Sequence, residues 1–350
     1  MLLSPPVIAA TAGLLLAALL QAAPGPAAAQ PRKDTAVLAM TLEPPGLDPT
    51  AGAASAIAEI TLYNIFETLT KITSDGRTGP LLAQSWSSSP DLKTWRFVLV
   101  PGVRFHNGEA FNAGTVKFSL ERAADKASTN KDKASFANIE RIDTPDAHTV
   151  VLTLKNGDPD LLFKLGQATA VMVEPKSVAG NNTQPVGTGP YKLDNWVKGS
   201  SVVLSKWDGH RNAASLKIKR ATFRFIADPA AQVAALLAGD VDAFPRVTPR
   251  SVPQFKTNPK FQVMASGSRA KTILALNNKK KPLDDVRVRR AINMAIDRKA
   301  VIQGAGDGYG SPIGSYYVPS APGYVDLTKV NAYDPDKARA LLKEAGVSNL

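Results

Sequence analysis

Three histidines, His106, His148 and His210, are the first residues to test for chemistry, because imidazole is the commonest acid, base or metal ligand near neutral pH. They are dispersed, with none at the spacing of a helical or hairpin metal pair, and the chain has no cysteine. A structural zinc site, a thiol nucleophile and a disulfide are therefore outside its chemistry. No G-x-S-x-G elbow presents a serine, so nucleophilic catalysis has no local support. Two glycine clusters also fail as phosphate cradles. Gly187-Thr188-Gly189 lacks a following Lys-Ser/Thr, and Gly304 to Gly308 follows a helical stretch instead of opening one. Both read as turns, and what remains is non-covalent binding without metal or cofactor.

The elements that would build a binding surface are legible. Trp95, Phe97 and Leu99 alternate with Arg96 and Val98, the period of a strand, and Pro101-Gly102 turns the chain toward a second short strand at Val103-Arg104-Phe105. Asn107-Gly108 forms another turn, and Asn112 caps a helix whose Val116, Leu120 and Ala123 share one face. Ala36 to Met40 reads as a strand, followed by a proline-bound loop over Glu43-Pro44-Pro45 and a helix from Ile57 to Thr70. Further strands are expected at Thr149–Leu154, Ser201–Lys206, Ile218–Phe225 and Thr272–Asn277, with an extended path over Asp240–Ala243. Asp228, with Pro229 after it, caps a helix that packs Val233, Leu236 and Leu237 and stops at Gly239. Asp284 or Asp285, Asp297 and Asp334 open three more helices.

The block Leu81 to Ala123, with Phe105-His106-Asn107-Gly108 between hairpin and helix, resembles the hallmark segment of extracellular solute-binding protein family 5. Asn64-Ile65-Phe66-Glu67-Thr68-Leu69, Gly187-Thr188-Gly189-Pro190-Tyr191-Lys192-Leu193 and Asp285 to Ile292, continued by Ala295 to Arg298, match further family blocks in the family's order. The resemblance implies an α/β fold of the type II periplasmic binding protein kind with three-lobed family 5 architecture. It divides the chain into a first lobe at 30–55 and 184–271, an accessory small lobe at 56–183 and a distal lobe at 272–350. Relatives continue past the helix at Asp334, so the distal lobe is expected to be incomplete. By family position the ligand contacts fall at Glu43, Pro44, Tyr63, Asn64, Asn277, Asn278, Tyr316 and Tyr317. The implied partners are a small solute, whether peptide, opine or metal chelate, and an ABC permease in the inner membrane, with the receptor acting as a monomer. The competing readings are a remnant that no longer binds, a secreted enzyme reusing the fold, and a basic nucleic-acid binder.

Composition bears on those alternatives. At 350 residues and 44% hydrophobic the chain can build more than one core. Its 42 basic and 30 acidic residues give a formal charge of +12, but the basic residues are dispersed and no nucleic-acid motif accompanies them. Ten basic against three acidic residues between Arg269 and Lys299 favour an anionic ligand if they face the cleft, and otherwise form a solvated or docking face. Residues 1–29 carry no charged side chain, an apolar run from Val7 to Leu20 and the small-residue end Ala27-Ala28-Ala29. This pattern reads as a secretory signal peptide; the run is short for a membrane anchor, and the basic start typical of a signal is missing. The expected location is the periplasm, as a soluble protein.

Overall fold

A computed structural model describes residues 33–268, 270–321 and 323–349. The leader, its apolar run and its cleavage site lie outside the described residues. The chain begins with β1 (Thr35–Met40), crosses the proline-bound loop and forms the short helix α1 (Ser55–Thr61). That helix was expected to reach Thr70. It stops because Tyr63 takes a left-handed φ of 61°, and the N–H groups of Ile65 and Phe66 both turn back onto the Thr61 carbonyl at 2.9 Å. Phe66 and Leu69 are fully buried without being helical, which is why their spacing imitated a helix.

A two-stranded ribbon, β2 (Thr70–Ile72) and β3 (Thr78–Pro80), leads into a four-stranded antiparallel sheet. Its strands are β4 (Ala83–Ser88), β5 (Thr94–Leu99), β6 (Ile139–Asp146) and β7 (Thr149–Leu154), in the spatial order β4-β5-β7-β6. Trp95, Phe97 and Leu99 enter the core while Thr94 and Arg96 face water, as the alternation requires. Helix α2 (Ala113–Ala124) covers this sheet with Val116, Leu120 and Ala123. Its N-terminus is held by a reciprocal box: Asn112 Oδ1 accepts from Thr115 N at 3.2 Å and Thr115 Oγ1 accepts from Asn112 N at 3.1 Å, an arrangement worth about 1 kcal/mol. The expected strand at Val103–Phe105 is reduced to a single bridge between Arg104 and Ala110, because turns at Gly102 (φ 75°) and Gly108 (φ 89°) leave no length for a ladder. The short helices α3 (Lys133–Phe136) and α4 (Leu161–Lys164) close this core.

The chain then returns to β1. Strands β8 (Tyr191–Val197), β9 (Ser201–Lys206) and β10 (Arg220–Phe225) complete a second sheet, order β1-β10-β9-β8, in which β1 and β10 run parallel from Thr35 opposite Arg220 to Met40 opposite Phe225. Helix α5 (Pro229–Ala238) follows, with the Asp228 side chain accepting from Ala231 N at 2.7 Å and Gly239 ending it at φ 80°. The residues it packs differ from expectation. Leu237 is exposed and Val233 and Leu236 are half-buried. The buried position is Gln232, whose amide bonds the Ile226 carbonyl at 2.5 Å and Thr41 Oγ1 at 3.2 Å. Asp240–Ala243 forms no strand of its own, but Ala243 bridges Leu38 alongside β1.

Beyond α6 (Val252–Lys256) the expected strand Thr272–Asn277 is irregular. Ile273 and Leu274 are 59% and 64% exposed, and no described strand pairs with them. Strand propensity is realised only against a neighbour. Helices α7 (Val286–Ala295), α8 (Arg298–Gly306) and α9 (Pro335–Glu344) are capped by Asp285, Asp297 and Asp334 as their sequences indicate. Ala291 and Met294 of α7 meet Ala338 of α9 in a small third core.

Candidate functional site

The densest polar chemistry lies where the chain passes between the two four-stranded sheets. Glu67, which follows α1, is buried, and its carboxylate takes a two-pronged contact from Arg211, Nη2 to Oε1 at 2.7 Å and Nη1 to Oε2 at 2.8 Å. Thr188 Oγ1 donates to the same Oε2 at 3.0 Å, and the His210 ring stands 3.7 Å from Oε1, beyond hydrogen-bond reach. Burial pushes the Glu67 carboxyl up; contacts and charge from His210 and Arg211 outweigh it and hold the group below its ordinary range.

His106 completes the joint. Its Nδ1 accepts from Gly187 N at 3.3 Å, so the proton sits on Nε2, which donates to the Gly189 carbonyl at 2.9 Å. Trp207 packs edge-on at 4.9 Å and Lys192 Nζ donates to the His106 carbonyl at 3.1 Å. Burial is the main reason the imidazole pKa falls to about 4. The two glycines are sterically required here: a Cβ on Gly187 would stand 1.9 Å from the Ile65 carbonyl oxygen, and one on Gly189 would stand 2.3 Å from that of Asn64. Three sequence blocks, Asn64–Leu69, Phe105–Gly108 and Gly187–Leu193, thus meet in one place. With no donor left free on Glu67 or His106, the arrangement positions backbone and does not perform acid-base chemistry.

The sequence-derived ligand contacts are distributed around this joint. Glu43 is half-buried; its Oε1 accepts from Trp196 Nε1 at 2.8 Å and its Oε2 from Gly199 N at 3.0 Å, which pins the β8–β9 turn to the loop after β1. Pro44 is buried beside it. The Tyr63 hydroxyl donates to the Gly166 carbonyl at 2.7 Å and accepts from Ile72 N at 2.9 Å, and burial pushes its pKa up. Asn64 Nδ2 donates to the Ile60 carbonyl at 2.9 Å. Asn277 and Asn278 are exposed, and Asn277 Oδ1 accepts from Lys279 N at 3.1 Å in a turn. Tyr316 and Tyr317 are 68% and 55% exposed, stand edge-to-face at 6.0 Å, and Lys271 Nζ lies 3.7 Å from the Tyr316 ring centre. A separate open groove of about 580 Å³ runs between the first turn of α5, residues Thr248–Gln254 and Asp307. Sequence reading passed over Glu67, His106, His210 and Arg211 as a group. The only signal was that two of the three meeting blocks flank them.

Comparison with known proteins bears on this architecture. Residues 77–350 match the family of bacterial extracellular solute-binding proteins, family 5 Middle. The chain belongs to solute-binding protein family 5. Among family 5 relatives, the glutathione-binding protein GsiB of Escherichia coli K12 is 34% identical over 274 residues, covering 77% of this chain and 53% of GsiB. The chain therefore spans about half the length of the curated relatives it matches. The structure of AgaA from A. tumefaciens R10 in complex with agropinic acid superposes with a TM-score of 0.76 at 29% identity, covering 89% of this chain and 64% of AgaA. Helicobacter pylori DppA in complex with the peptide STSA gives 0.78 at 27% identity, covering 90% and 66%. The family is one of binding proteins, and among the described residues no helix is long and apolar enough to cross a membrane.

Proposed function

We propose that the protein is the solute-capturing component of an ABC importer, working in the periplasm and handing a peptide-like small solute to a membrane permease. The observation that carries this reading is family membership over residues 77–350, coupled to the joint in which Glu67 and Arg211 tie the family's blocks together. In it, β1 with β8–β10 forms a first lobe, the β4–β7 sheet an accessory lobe, and the helices after Leu283 part of a distal lobe. Exposed Asn277, Asn278, Tyr316 and Tyr317 supply distal contacts. Glu43, Pro44, Tyr63 and Asn64 brace the facing loops. Ligand touching both sides selects the closed arrangement by its differential affinity, and no covalent step is needed.

A thermal-unfolding screen of the purified chain against peptides, opines and nickel chelates tests this. A true ligand at a hundred times its Kd adds about 2.7 kcal/mol to the stability and raises the midpoint accordingly. A midpoint that no solute class moves overturns the reading.

A further inference from the structure

The 580 Å³ groove carries two opposite charges that the fold does not use. Arg250, in the turn before α6, is exposed and makes no ion pair or hydrogen bond through its side chain among the described residues. The same is true of Asp307, which ends α8. Asp307 is poorly placed for stability. It holds a left-handed φ of 47°, a position that favours glycine, and it sets a carboxylate against the negative end of a helix. Gly306 and Gly308 stand on either side of it, so a glycine terminator would be the ordinary local solution. Unrelieved strain joined to unpaired charge at a groove wall points to a ligand contact. The walls are also tied together, since Lys256 Nζ at the end of α6 lies 5.9 Å from the Tyr309 ring centre just beyond Asp307. Between the charges, Val233 and Pro249 give an apolar floor.

We infer that this groove binds a short peptide with both termini free, Arg250 taking the carboxylate and Asp307 the ammonium. The inference rests on the solute-capture reading and specifies its ligand. The volume falls within the 300–1,000 Å³ typical of small-molecule sites, and the guanidinium fork matches a carboxylate in geometry as well as charge.

Titration calorimetry of the full chain with trialanine, its N-acetyl form and its C-terminal amide tests this against Arg250→Gln and Asp307→Asn. Asparagine tolerates the left-handed backbone, so the second variant keeps the turn. Each substitution is expected to weaken trialanine about tenfold, the scale of one lost charge-assisted hydrogen bond. The losses should cross: the amide is indifferent to Arg250→Gln and the acetyl peptide to Asp307→Asn. Trialanine binding that neither substitution changes overturns the groove assignment and leaves the receptor reading standing. Saturable binding of an opine or chelate without trialanine overturns the ligand class alone. If no solute binds, both fall.

Discussion

Acidification should loosen the joint through His106 before any carboxylate there titrates. Nδ1 already faces the Gly187 N–H and Nε2–H faces the Gly189 carbonyl, so a second ring proton would set donor against donor. The folded pKa of about 4 lies below the ordinary 6.5, so between these values the unfolded chain holds a proton that the folded chain lacks. The sign follows: stability is fully present above pH 6.5 and is lost as pH falls toward 4. The slope is about 1.4 kcal/mol per pH unit for one proton, giving up to about 2–3 kcal/mol between pH 6.5 and 4.5. Urea unfolding at pH 7.5, 6.5, 5.5 and 4.5, for the natural chain and His106→Asn, isolates this share, because His148 and His210 remain in both. The variant should be weaker at pH 7.5 by about 2–4 kcal/mol, having left a buried N–H and carbonyl poorly matched, and the gap should shrink by about 2–3 kcal/mol at pH 4.5. Parallel pH curves for the two proteins would refute the reasoning.

Arg211→Met leaves Glu67 buried without its guanidinium; a loss of about 3–5 kcal/mol is expected, read by calorimetry as a melting midpoint roughly 6–20 °C lower. Gly187→Ala drives a methyl into the Ile65 carbonyl and should cost at least about 3 kcal/mol in urea. Gly79→Ala, with nothing within 4 Å of the new methyl, should stay within about 1 kcal/mol. Glu43→Ala removes the acceptor of Trp196 Nε1 and Gly199 N, and should lower stability by about 1–2 kcal/mol with an altered tryptophan emission spectrum.

The features that sequence foretold are those decided by neighbouring residues. Asn112, Asp228, Asp285, Asp297 and Asp334 all cap helices where expected, because the side chain reaches an N–H only two or three residues away. Alternation placed β5, β7 and β9 because burial of one face is written in every second residue. Expectation failed where distant contacts decide. The buried Phe66 and Leu69 mimicked a helical stripe that Tyr63 interrupts, and a tyrosine does not announce a positive φ. Thr272–Asn277 has strand residues and no strand beside it. The joint is invisible for the same reason, since Glu67 meets Arg211 across 144 residues and His106 meets Gly189 across 83. Each block could be seen in the sequence, but their convergence depends on the return of β8–β10 to β1.

The most direct test of solute capture is titration calorimetry of the purified chain with glutathione, trialanine, agropinic acid and nickel–histidine under one buffer condition. The account predicts saturable heat from one solute class, with one site per chain. Heats indistinguishable from dilution for all four would contradict it.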